Sequence, residues 1–334
     1  MNNNVYGIDL GTCNFKIFCK SNGKILKEKN TIAVINKNEI YAYGDAAYAM
    51  YEKAPEAINV IFPVSNGVIA DYNLLQRMIL DFLESKMKAR IKNAEVVVAV
   101  PTDITDVEKR AFYEVFYKSK VRPKNVLLCE KPIADAVGLG IDVNEPTGVM
   151  IVDMGADTTE ISVISLGGLV LSDLLHFGGN RIDEGIISYV RKEFNLVIGQ
   201  KTAKLLKENI GSGLPGRTET MVIVGRDVVS GLPIEMEITA DVIYEAMKSN
   251  LESICTSIKT ILEKTPPELA KDIIHSGIYI TGGGSQIHGL GDLFEQITNI
   301  KVNSSEAPEE SAARGLVKIV TDSKYKRLPF SIKK

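Results

Sequence analysis

The sequence predicts an α/β fold built from two similar halves. In each half, apolar stretches with strand character alternate with amphipathic helical segments, the pattern typical of α/β domains. One local pattern occurs twice, as VYGIDLGTCNFKIFCKSNGK at residues 5–24 and as VMIVDMGADTTEISVISLGG at residues 149–168. Both copies run from an apolar stretch through Asp-x-Gly and a polar turn to a second strand-like stretch. With 334 residues, the chain is long enough for two halves with separate cores.

Composition and charge exclude several classes of protein. The chain is 45% hydrophobic and 24% charged, which is typical of a globular protein. The net charge of -3 gives a nucleic-acid partner no global electrostatic support. The four cysteines form no C-x-x-C pair, which indicates buried thiols in a reducing compartment. The start MNNNVYG has no signal-like pattern and no long uninterrupted apolar run follows, so a cytoplasmic protein is expected.

The first half is predicted to begin with an antiparallel meander of strands at residues 5–10, 15–20 and 26–35. A buried strand then ends at Pro101, and residues 106–120 have helical spacing. The segment KNVLLCEKP predicts another strand, followed by a helix that carries Pro132 in its first turn.

The second half repeats this order. Its predicted strands lie around residues 148–153, 159–165 and 168–176. A long amphipathic helix follows Thr239, which is expected to be its N-cap, and SGIYITGGG predicts the final strand. Two inserts, at roughly residues 31–72 and 181–239, are interpreted as small outer subdomains.

The repeated turn has the chemistry of a phosphate site. A tight Gly-containing turn can direct successive backbone N–H groups at one point and form a nest for an anion. Two such nests, facing each other across a cleft, would bind a polyphosphate from both sides. A structural Gly turn is the alternative for either copy, but two copies in register favour phosphate binding. The residues of the two nests are Gly11, Thr12 and Cys13 in the first, and Gly155, Ala156 and Asp157 in the second.

Asp9 and Asp153 precede the two turns and could each hold Mg²⁺, directly or through water. The glycines Gly282, Gly283 and Gly284 lie between a strand and a helix. They would let a nucleobase lie against bare backbone, or they form a structural turn.

A second glycine pattern is formally a dinucleotide fingerprint. Gly211, Gly213 and Gly216 match G-x-G-x-x-G, but they follow a helix, include Pro215 and open no helix. No dinucleotide site is therefore predicted.

These features together resemble the superfamily of actin, Hsp70 and the sugar kinases. Longer segments are similar to the MreB family, the bacterial actin homologues. The departures described below resemble those of divergent paralogues found in wall-less helical bacteria. The resemblance extends from about residue 5 to about residue 320. Its segments are GIDLGTCN, NGVIADY, RIDEGIISYVRKEFNLVIG, GRDVVSGLP, LEKTPPELAKDI and GIYITGGGSQIHGL.

The resemblance implies an actin-like fold of duplicated ribonuclease-H-like domains, with four subdomains around a cleft that binds ATP or ADP and Mg²⁺. The implied subdomains are IA (1–30, 73–142 and 316–334), IB (31–72), IIA (143–180 and 240–315) and IIB (181–239).

The resemblance also implies which residues contact the nucleotide. It places Asp9, Gly11, Thr12 and Asn14 in the first phosphate loop, and Asp153 and Gly155 in the second. It places Gly178, Gly179 and Asn180 in a turn beside the nucleotide, Lys207 and Glu208 at the nucleoside, and Gly282, Gly283 and Gly284 at the adenine. Asp71 is expected at a position that faces the cleft.

The chain departs from the family at the catalytic position. The family usually has Glu immediately before the proline of the connecting helix, where it positions the water that attacks the γ-phosphate. Here that residue is Lys131. A carboxylate accepts a hydrogen bond from water, whereas a protonated lysine only donates and cannot orient or deprotonate a nucleophile. Its neighbour Glu130 is expected to point elsewhere, so weak ATP hydrolysis is predicted.

Two further departures lie in the hairpins. Ala156 and Asp157 replace two of the three glycines usual in the family, and a carboxylate near the nest should weaken nucleotide binding unless it is paired. The hypothesis is that Lys131 and Asp157 neutralise each other, and independent drift is the alternative. Lys16 stands where MreB proteins commonly have an apolar residue. It would reach the β-phosphate, as a lysine of actin does, or face solvent.

The resemblance further implies self-assembly into filaments, typically paired, on the cytoplasmic face of the membrane, with a role in cell shape or motility. MNNN cannot form an amphipathic anchor helix. The basic segment at residues 85–95 and the tail Lys324–Lys334 are the candidates for contact with an anionic membrane. A frayed, solvated tail is the alternative. A chaperone-type ATPase and a small-molecule kinase are the competing functions, and neither has a dedicated feature in the sequence.

Overall fold

The computed structural model describes residues 5–21, 23–36, 39–86, 93–120 and 123–332. The chain divides into two compact units. Unit 1 contains Met1–Pro146, Ile164–Val170 and Glu309–Lys334, and unit 2 contains Thr147–Val163 and Leu171–Pro308. The residues around 164–170 and 309–315, which the resemblance assigns to subdomain IIA, lie with unit 1. The four-subdomain division itself stays a prediction.

The strands are, in chain order, β1 Val5–Leu10, β2 Asn14–Cys19, β3 Lys24–Lys29, β4 Ile32–Ile35, β5 Glu39–Tyr43, β6 Ile58–Ile61, β7 Val64–Ser65, β8 Val68–Ile69, β9 Glu95–Val100, β10 Asn125–Glu130, β11 Val149–Met154, β12 Thr159–Ser165, β13 Gly168–Leu175, β14 Leu196–Val197, β15 Thr220–Asp227, β16 Pro233–Thr239, β17 Ile278–Thr281 and β18 Val302–Asn303.

The helices are α1 Asp45–Met50, α2 Tyr72–Ser85, α3 Asp106–Tyr117, α4 Lys131–Gly138, α5 Gly179–Phe194, α6 Gln200–Ile210, α7 Ala240–Lys264, α8 Pro267–Ser276, α9 Leu290–Thr298 and α10 Ser311–Thr321. In the described part of the chain, no helix combines the length and the apolar character that crossing a bilayer requires.

The main sheets of the two units have the same layout, which confirms the duplicated α/β fold. The strand order is β10-β9-β1-β2-β3 in unit 1 and β13-β12-β11-β17-β18 in unit 2. In unit 1, β9 runs parallel to β1 and β10 parallel to β9. In unit 2, β17 runs parallel to β11 and β18 parallel to β17. Each main sheet therefore begins with a three-strand meander. Two later strands extend the sheet beside the first strand of the meander, and both run parallel to that strand.

The prediction of one strand over residues 26–35 was wrong, because the chain leaves the main sheet at Asn30. Strand β3 ends at Lys29, and β4 belongs to a separate sheet with the order β5-β4-β6. The backbone N–H of Asn30 still donates to the carbonyl of Cys13 at 3.0 Å, in the register of the β2–β3 pair, and the chain leaves the main sheet after this bond. Thr31 accepts at its carbonyl from the N–H of Gly44 at 2.9 Å.

The helix predictions near the main sheets are confirmed. Thr239 caps α7 by accepting from the N–H of Val242 at 3.5 Å, and Pro132 lies in the first turn of α4. Helix α7 buries one apolar stripe in the core of unit 2. Its fully buried members include Ile243, Met247, Leu251, Ile254 and Ile258. Burying each such side chain stabilises the fold by about 1.5–3 kcal/mol.

Helices α4 and α10 approach each other at two glycines. A Cβ on Gly315 would overlap the carbonyl oxygen of Ala134, and a Cβ on Gly138 would overlap that of Ser311. The backbones can meet this closely only because neither position carries a side chain. Helix α10 therefore fixes the position of α4, whose first residue is Lys131.

Replacing Gly315 by alanine is expected to push α10 away from α4 and to destabilise unit 1 by about 1–3 kcal/mol, the usual effect of overpacking. Gly291→Ala is the matched control, because Gly291 also lies in a helix but its added Cβ would meet its nearest atom at an ordinary 3.6 Å. Alanine favours a helix over glycine by about 1 kcal/mol, so the control should keep or raise stability. Thermal unfolding measures both, and equal midpoints for the two variants would show that the close approach of α4 and α10 does not require glycine at residue 315.

Candidate functional site

The first repeated turn joins β1 to β2 at residues 11–13. A Cβ on Gly11 would lie 2.8 Å from the carbonyl oxygen of Asn14, so the turn needs a residue without a side chain. The buried Asn30 holds this turn from behind. Its Nδ2 donates to the carbonyl of Gly11 at 2.8 Å, and its backbone N–H donates to that of Cys13 at 3.0 Å.

The second turn, between β11 and β12, has the same geometry. A Cβ on Gly155 would lie 3.0 Å from the carbonyl oxygen of Thr158. The first amides of α5 hold this turn from behind. The N–H of Gly179 donates to the carbonyl of Gly155 at 3.0 Å, and the N–H of Asn180 donates to that of Ala156 at 2.7 Å. The structure therefore brings the predicted nucleotide-side turn at residues 178–180 directly against the second hairpin.

These hydrogen bonds determine which way the turn amides point. In a planar trans peptide, the C=O and the following N–H point in opposite directions. The hydrogen bond to the carbonyl of Gly11 therefore directs the N–H of Thr12 away from Asn30. The hydrogen bonds to the carbonyls of Gly155 and Ala156 likewise direct the N–H groups of Ala156 and Asp157 away from α5. The second turn thus presents two successive amides on the side away from these bonds, which is the geometry of an anion nest, and the first turn presents the amide of Thr12 in the same way.

The first turn is preceded by a buried ion pair. Asp9 and Lys16 are cross-strand partners in β1 and β2, and Lys16 Nζ lies 2.8 Å from Asp9 Oδ2. Burial alone would raise the pKa of Asp9, but the ammonium groups of Lys16 and Lys131 outweigh it and hold this pKa below its ordinary value. Lys16 is buried and does not face solvent. The ammonium group already neutralises this carboxylate and would repel a second cation, which disfavours direct coordination of Mg²⁺ by Asp9, whereas contact through water stays a prediction.

Asp153 occupies the equivalent place in unit 2, beside the glycine turn. It pairs in register with Thr281, and its Oδ1 lies so close to Gly282 that a Cβ there would overlap it. Gly282 also has φ +81°, a conformation that favours glycine. A Cβ on Gly283 would meet nothing within 4 Å. Gly282 is thus a structural turn residue, while Gly283 leaves bare backbone facing open space. Metal binding by Asp153 and adenine contact at the glycines stay predictions.

Lys207 has a supporting position behind the second turn. It is buried, and its Nζ donates to the carbonyl of Gly179 at 2.8 Å and lies 2.7 Å from Asp183 Oδ1. Burial raises the pKa of Asp183, although the charge of Lys207 acts in the opposite direction. Lys207 therefore fixes the beginning of α5, and the first amides of α5 are hydrogen-bonded to the second hairpin. Glu208 is exposed, and nucleoside contact by either residue stays a prediction.

Lys131 lies at the same sheet edge as the first turn. Strands β1, β9 and β10 are parallel, and Asp9 pairs with Ala99 while Glu130 pairs with Val100. Their carboxyl ends therefore meet at one edge, and Lys131 follows immediately as the first residue of α4. Its charge reaches Asp9, whose pKa it helps to lower.

Glu130, the other predicted catalytic residue of this segment, is half-buried. Burial raises its pKa, with a lowering contribution from Lys109 and a raising one from Asp103. Its charged neighbours are thus at the beginning of α3, and its catalytic role stays a prediction.

The remaining predicted catalytic carboxylates both have structural partners. Asp157 Oδ1 accepts from Asn180 Nδ2 at 2.7 Å. Asp71 caps α2 by accepting from the N–H of Leu74 at 3.0 Å, which accounts for a carboxylate at this position. The proposed pairing of Asp157 with Lys131 joins residues of different units and stays a prediction.

The described part of the C-terminal tail is docked on unit 1. Phe330 and Leu128 exchange backbone hydrogen bonds at 2.8 Å in an antiparallel bridge to β10. Lys324 Nζ lies 2.5 Å from Asp142 Oδ2. These contacts disagree with a frayed tail. Lys333, Lys334, most of the basic segment (residues 87–92) and MNNN lie outside the described residues.

Sequence reasoning missed Asn30 and Asp183. A signal for Asn30 exists in the repeat itself, because in both units the segment after the third meander strand supplies the donors that hold the turn. Asn30 follows β3, as Gly179 and Asn180 follow β13. Asp183 gave no comparable signal, since its partner Lys207 belongs to another helix.

The fold and its paired turns define an actin-like protein. The family model described as MreB/Mbl protein matches residues 3–327. The cell shape-determining protein Mbl of Bacillus cereus is 36% identical over 312 residues, which cover 92% of this chain and 93% of the relative. The cell shape-determining protein MreB of Escherichia coli K12 is 37% identical over 323 residues, which cover 94% of this chain and 92% of the relative. The chain therefore belongs to the MreB/Mbl family of bacterial actin-like proteins.

Solved structures agree with this assignment. MreB5 of Spiroplasma citri bound to AMPPNP has a TM-score of 0.92 at 34% identity, with 98% of both chains covered. Its ADP-bound structure has a TM-score of 0.89 at 33% identity, covering 96% of this chain and 99% of the other. A MamK double helical filament, with a TM-score of 0.79 at 22% identity over 96% of this chain and 99% of the other, shows the shared fold.

Lys207→Met should destabilise unit 2 by about 3–5 kcal/mol, because it leaves the buried Asp183 without its cation. Adding Asp183→Asn should recover part of the loss, since the remaining group is neutral. Thermal unfolding of the single and double variants measures this coupling. The control is Lys204→Met, which removes a more exposed lysine 3.8 Å from Glu208. A double variant no more stable than Lys207→Met would contradict the supporting role of the pair.

Proposed function

We propose that this chain binds ATP and ADP through its two hairpin turns, polymerises into filaments and hydrolyses ATP slowly. The observation that carries the proposal is the hydrogen bonding of each turn from behind, which directs its amides outward. Outward amides at a tight turn fit phosphate oxygens. The related MreB5 structures were solved with AMPPNP and ADP, which supports nucleotide binding, and MamK as a double helical filament supports assembly.

The residues have separate roles in this proposal. The amide of Thr12 in the first turn and those of Ala156 and Asp157 in the second contact the phosphates. The bare backbone at Gly283 is the candidate surface for the base. Asp153, rather than the neutralised Asp9, would hold a Mg²⁺ ion, which supplies charge neutralisation during phosphoryl transfer.

Slow hydrolysis follows from the residue at the start of α4. Lys131 lies at the edge where the first turn and the carboxyl ends of β9 and β10 meet. Its ammonium group can stabilise phosphate charge but cannot accept a hydrogen bond from the attacking water. Loss of the group that orients the water lowers the rate of phosphoryl transfer by roughly two to four powers of ten.

Lys131→Glu should therefore accelerate phosphate release by at least about tenfold, because it introduces a carboxylate that can orient water. Lys131→Met is the matched control, since it removes the ammonium group without adding an acceptor, and it should leave release slow. Phosphate release is measured together with high-speed pelleting across protein concentration. Wild type that already releases phosphate at the rate of Lys131→Glu would show that another residue positions the water.

The same pelleting experiment tests the class of protein. A filament protein pellets above a critical concentration in the presence of ATP. A chaperone-type ATPase or a small-molecule kinase of the superfamily would stay in the supernatant at every concentration.

We further propose that the filaments lie at the cytoplasmic face of the membrane and contact anionic lipid through the basic tail. Lys324, Lys326 and Arg327 are exposed, while Leu328 and Phe330 are partly buried. The docked tail thus offers charge rather than apolar side chains for insertion. Each basic residue near an anionic surface contributes about 1 kcal/mol, which a filament multiplies by avidity.

Lys326→Glu combined with Arg327→Glu should reduce co-sedimentation with phosphatidylserine vesicles, while the Phe330 bridge keeps the tail in place. The control combines Lys259→Glu with Lys271→Glu, an equal change of charge at exposed helical positions of unit 2. Equal binding by the two double variants would show that the tail is not the membrane contact.

A further inference from the structure

Asn30 and Thr31 form the joint at which the chain passes from the main sheet of unit 1 into the outer sheet, the three strands β4, β5 and β6. On one side, Asn30 donates to the carbonyl groups of Gly11 and Cys13 in the first turn, at 2.8 and 3.0 Å. On the other side, the carbonyl of Thr31 accepts from the N–H of Gly44 at 2.9 Å, directly after β5. Two consecutive residues therefore connect the first turn to the outer sheet.

A second set of contacts connects the same strand end to α1, the helix that packs against β4 and β5. The N–H of Lys29 donates to Asp45 Oδ1 at 3.3 Å, and the N–H of Asp45 donates to Glu28 Oε2 at 3.0 Å. Lys29 Nζ also lies 3.6 Å from the Sγ of Cys13 in the first turn. The end of β3 thus contacts the first turn and the beginning of α1 together, and all of these residues belong to unit 1.

The joint is buried, but its polar atoms are not all satisfied. Asn30 and Thr31 are both 0% exposed. Among the residues that the structure describes, none is hydrogen-bonded to Asn30 Oδ1 or to Thr31 Oγ1. Buried polar atoms without partners cost free energy, which makes the present arrangement easier to leave. The joint is therefore a place where unit 1 opens more readily than a fully hydrogen-bonded core does.

Occupancy of the first turn would act on this joint through one peptide group. The C=O of Gly11 and the N–H of Thr12 belong to the same peptide, and Asn30 Nδ2 donates to that C=O. A phosphate oxygen that accepts from the N–H polarises the peptide and strengthens the bond from Asn30, because hydrogen bonds in a chain reinforce each other. A ligand at the turn therefore favours the present arrangement of the joint.

We infer that Asn30 couples nucleotide occupancy of the first turn to the outer sheet, so that the outer sheet and α1 open less often when nucleotide is bound. The inference rests on the proposed nucleotide binding and adds a conformational consequence to it. Such coupling is reciprocal, so a contact that holds the outer sheet in its present arrangement raises nucleotide affinity by the same factor.

Hydrogen exchange followed by mass spectrometry tests the inference, at protein concentrations below those that pellet. ATP or ADP with MgCl₂, at a saturating concentration determined by isothermal titration calorimetry, should slow amide exchange in residues 39–61 by about threefold or more relative to α3. Helix α3 is the internal reference, because any ligand slows exchange by stabilising the whole unit. Binding without this additional slowing would overturn the inference and leave nucleotide binding established. Failure to bind would instead overturn the proposed function, and the inference with it.

Asn30→Ala identifies the residue responsible. It removes the side-chain amide but keeps the backbone N–H that donates to Cys13, and at saturating nucleotide it should lose the additional slowing in residues 39–61. Asn59→Ala is the matched control, because Asn59 is an exposed asparagine of the outer sheet itself, and it should respond as wild type does. Full additional slowing in Asn30→Ala would overturn the coupling through Asn30.

Thr31→Val tests the joint without removing the amide of Asn30, and it should fold because it replaces an unpaired buried hydroxyl by a group of similar shape. With one unsatisfied atom fewer, the present arrangement of the joint becomes more favourable. Exchange in residues 39–61 should therefore be slower than in wild type even without nucleotide, again relative to α3. Exchange as fast as in wild type would overturn the role assigned to the joint.

Discussion

The candidate site depends on one constraint: the carbonyl groups of each hairpin turn are hydrogen-bonded from behind. Asn30 does this in unit 1, and the first amides of α5 do it in unit 2. Because a peptide plane carries its C=O and N–H in opposite directions, these bonds decide where the turn amides point. The glycine at the start of each turn lets the backbones come close enough for these bonds. The buried Lys207–Asp183 pair holds α5 in place, so that its first amides stay bonded to the second turn.

The two turns share a backbone geometry but differ in charge. The first has Lys16 and Lys131 acting on a single carboxylate, Asp9. The second has the carboxylate of Asp157 held by the side-chain amide of Asn180. A duplicated backbone thus supplies amides in both units, while side chains give each turn its own electrostatic character. The chemistry of the two turns can therefore differ although their backbone contacts are alike.

The position of Lys131 is set by packing well away from the turns. Gly138 and Gly315 allow α4 and α10 to approach closely, and the Phe330 bridge pairs with β10 at Leu128, two residues before Glu130. These contacts fix the end of the strand and the start of the helix. Lys131 therefore occupies a position that the fold holds in place.

The sequence by itself determined the duplicated α/β fold, the two Gly turns and the amphipathic α7, because apolar periodicity and glycine act locally along the chain. It also indicated the family. Only the tertiary structure decided that the chain leaves the sheet at Asn30, that Lys16 is buried against Asp9 and that Lys207 supports α5 from within. These features depend on contacts between distant parts of the chain, and the direction of a side chain in such contacts is set by packing rather than by its neighbours in sequence.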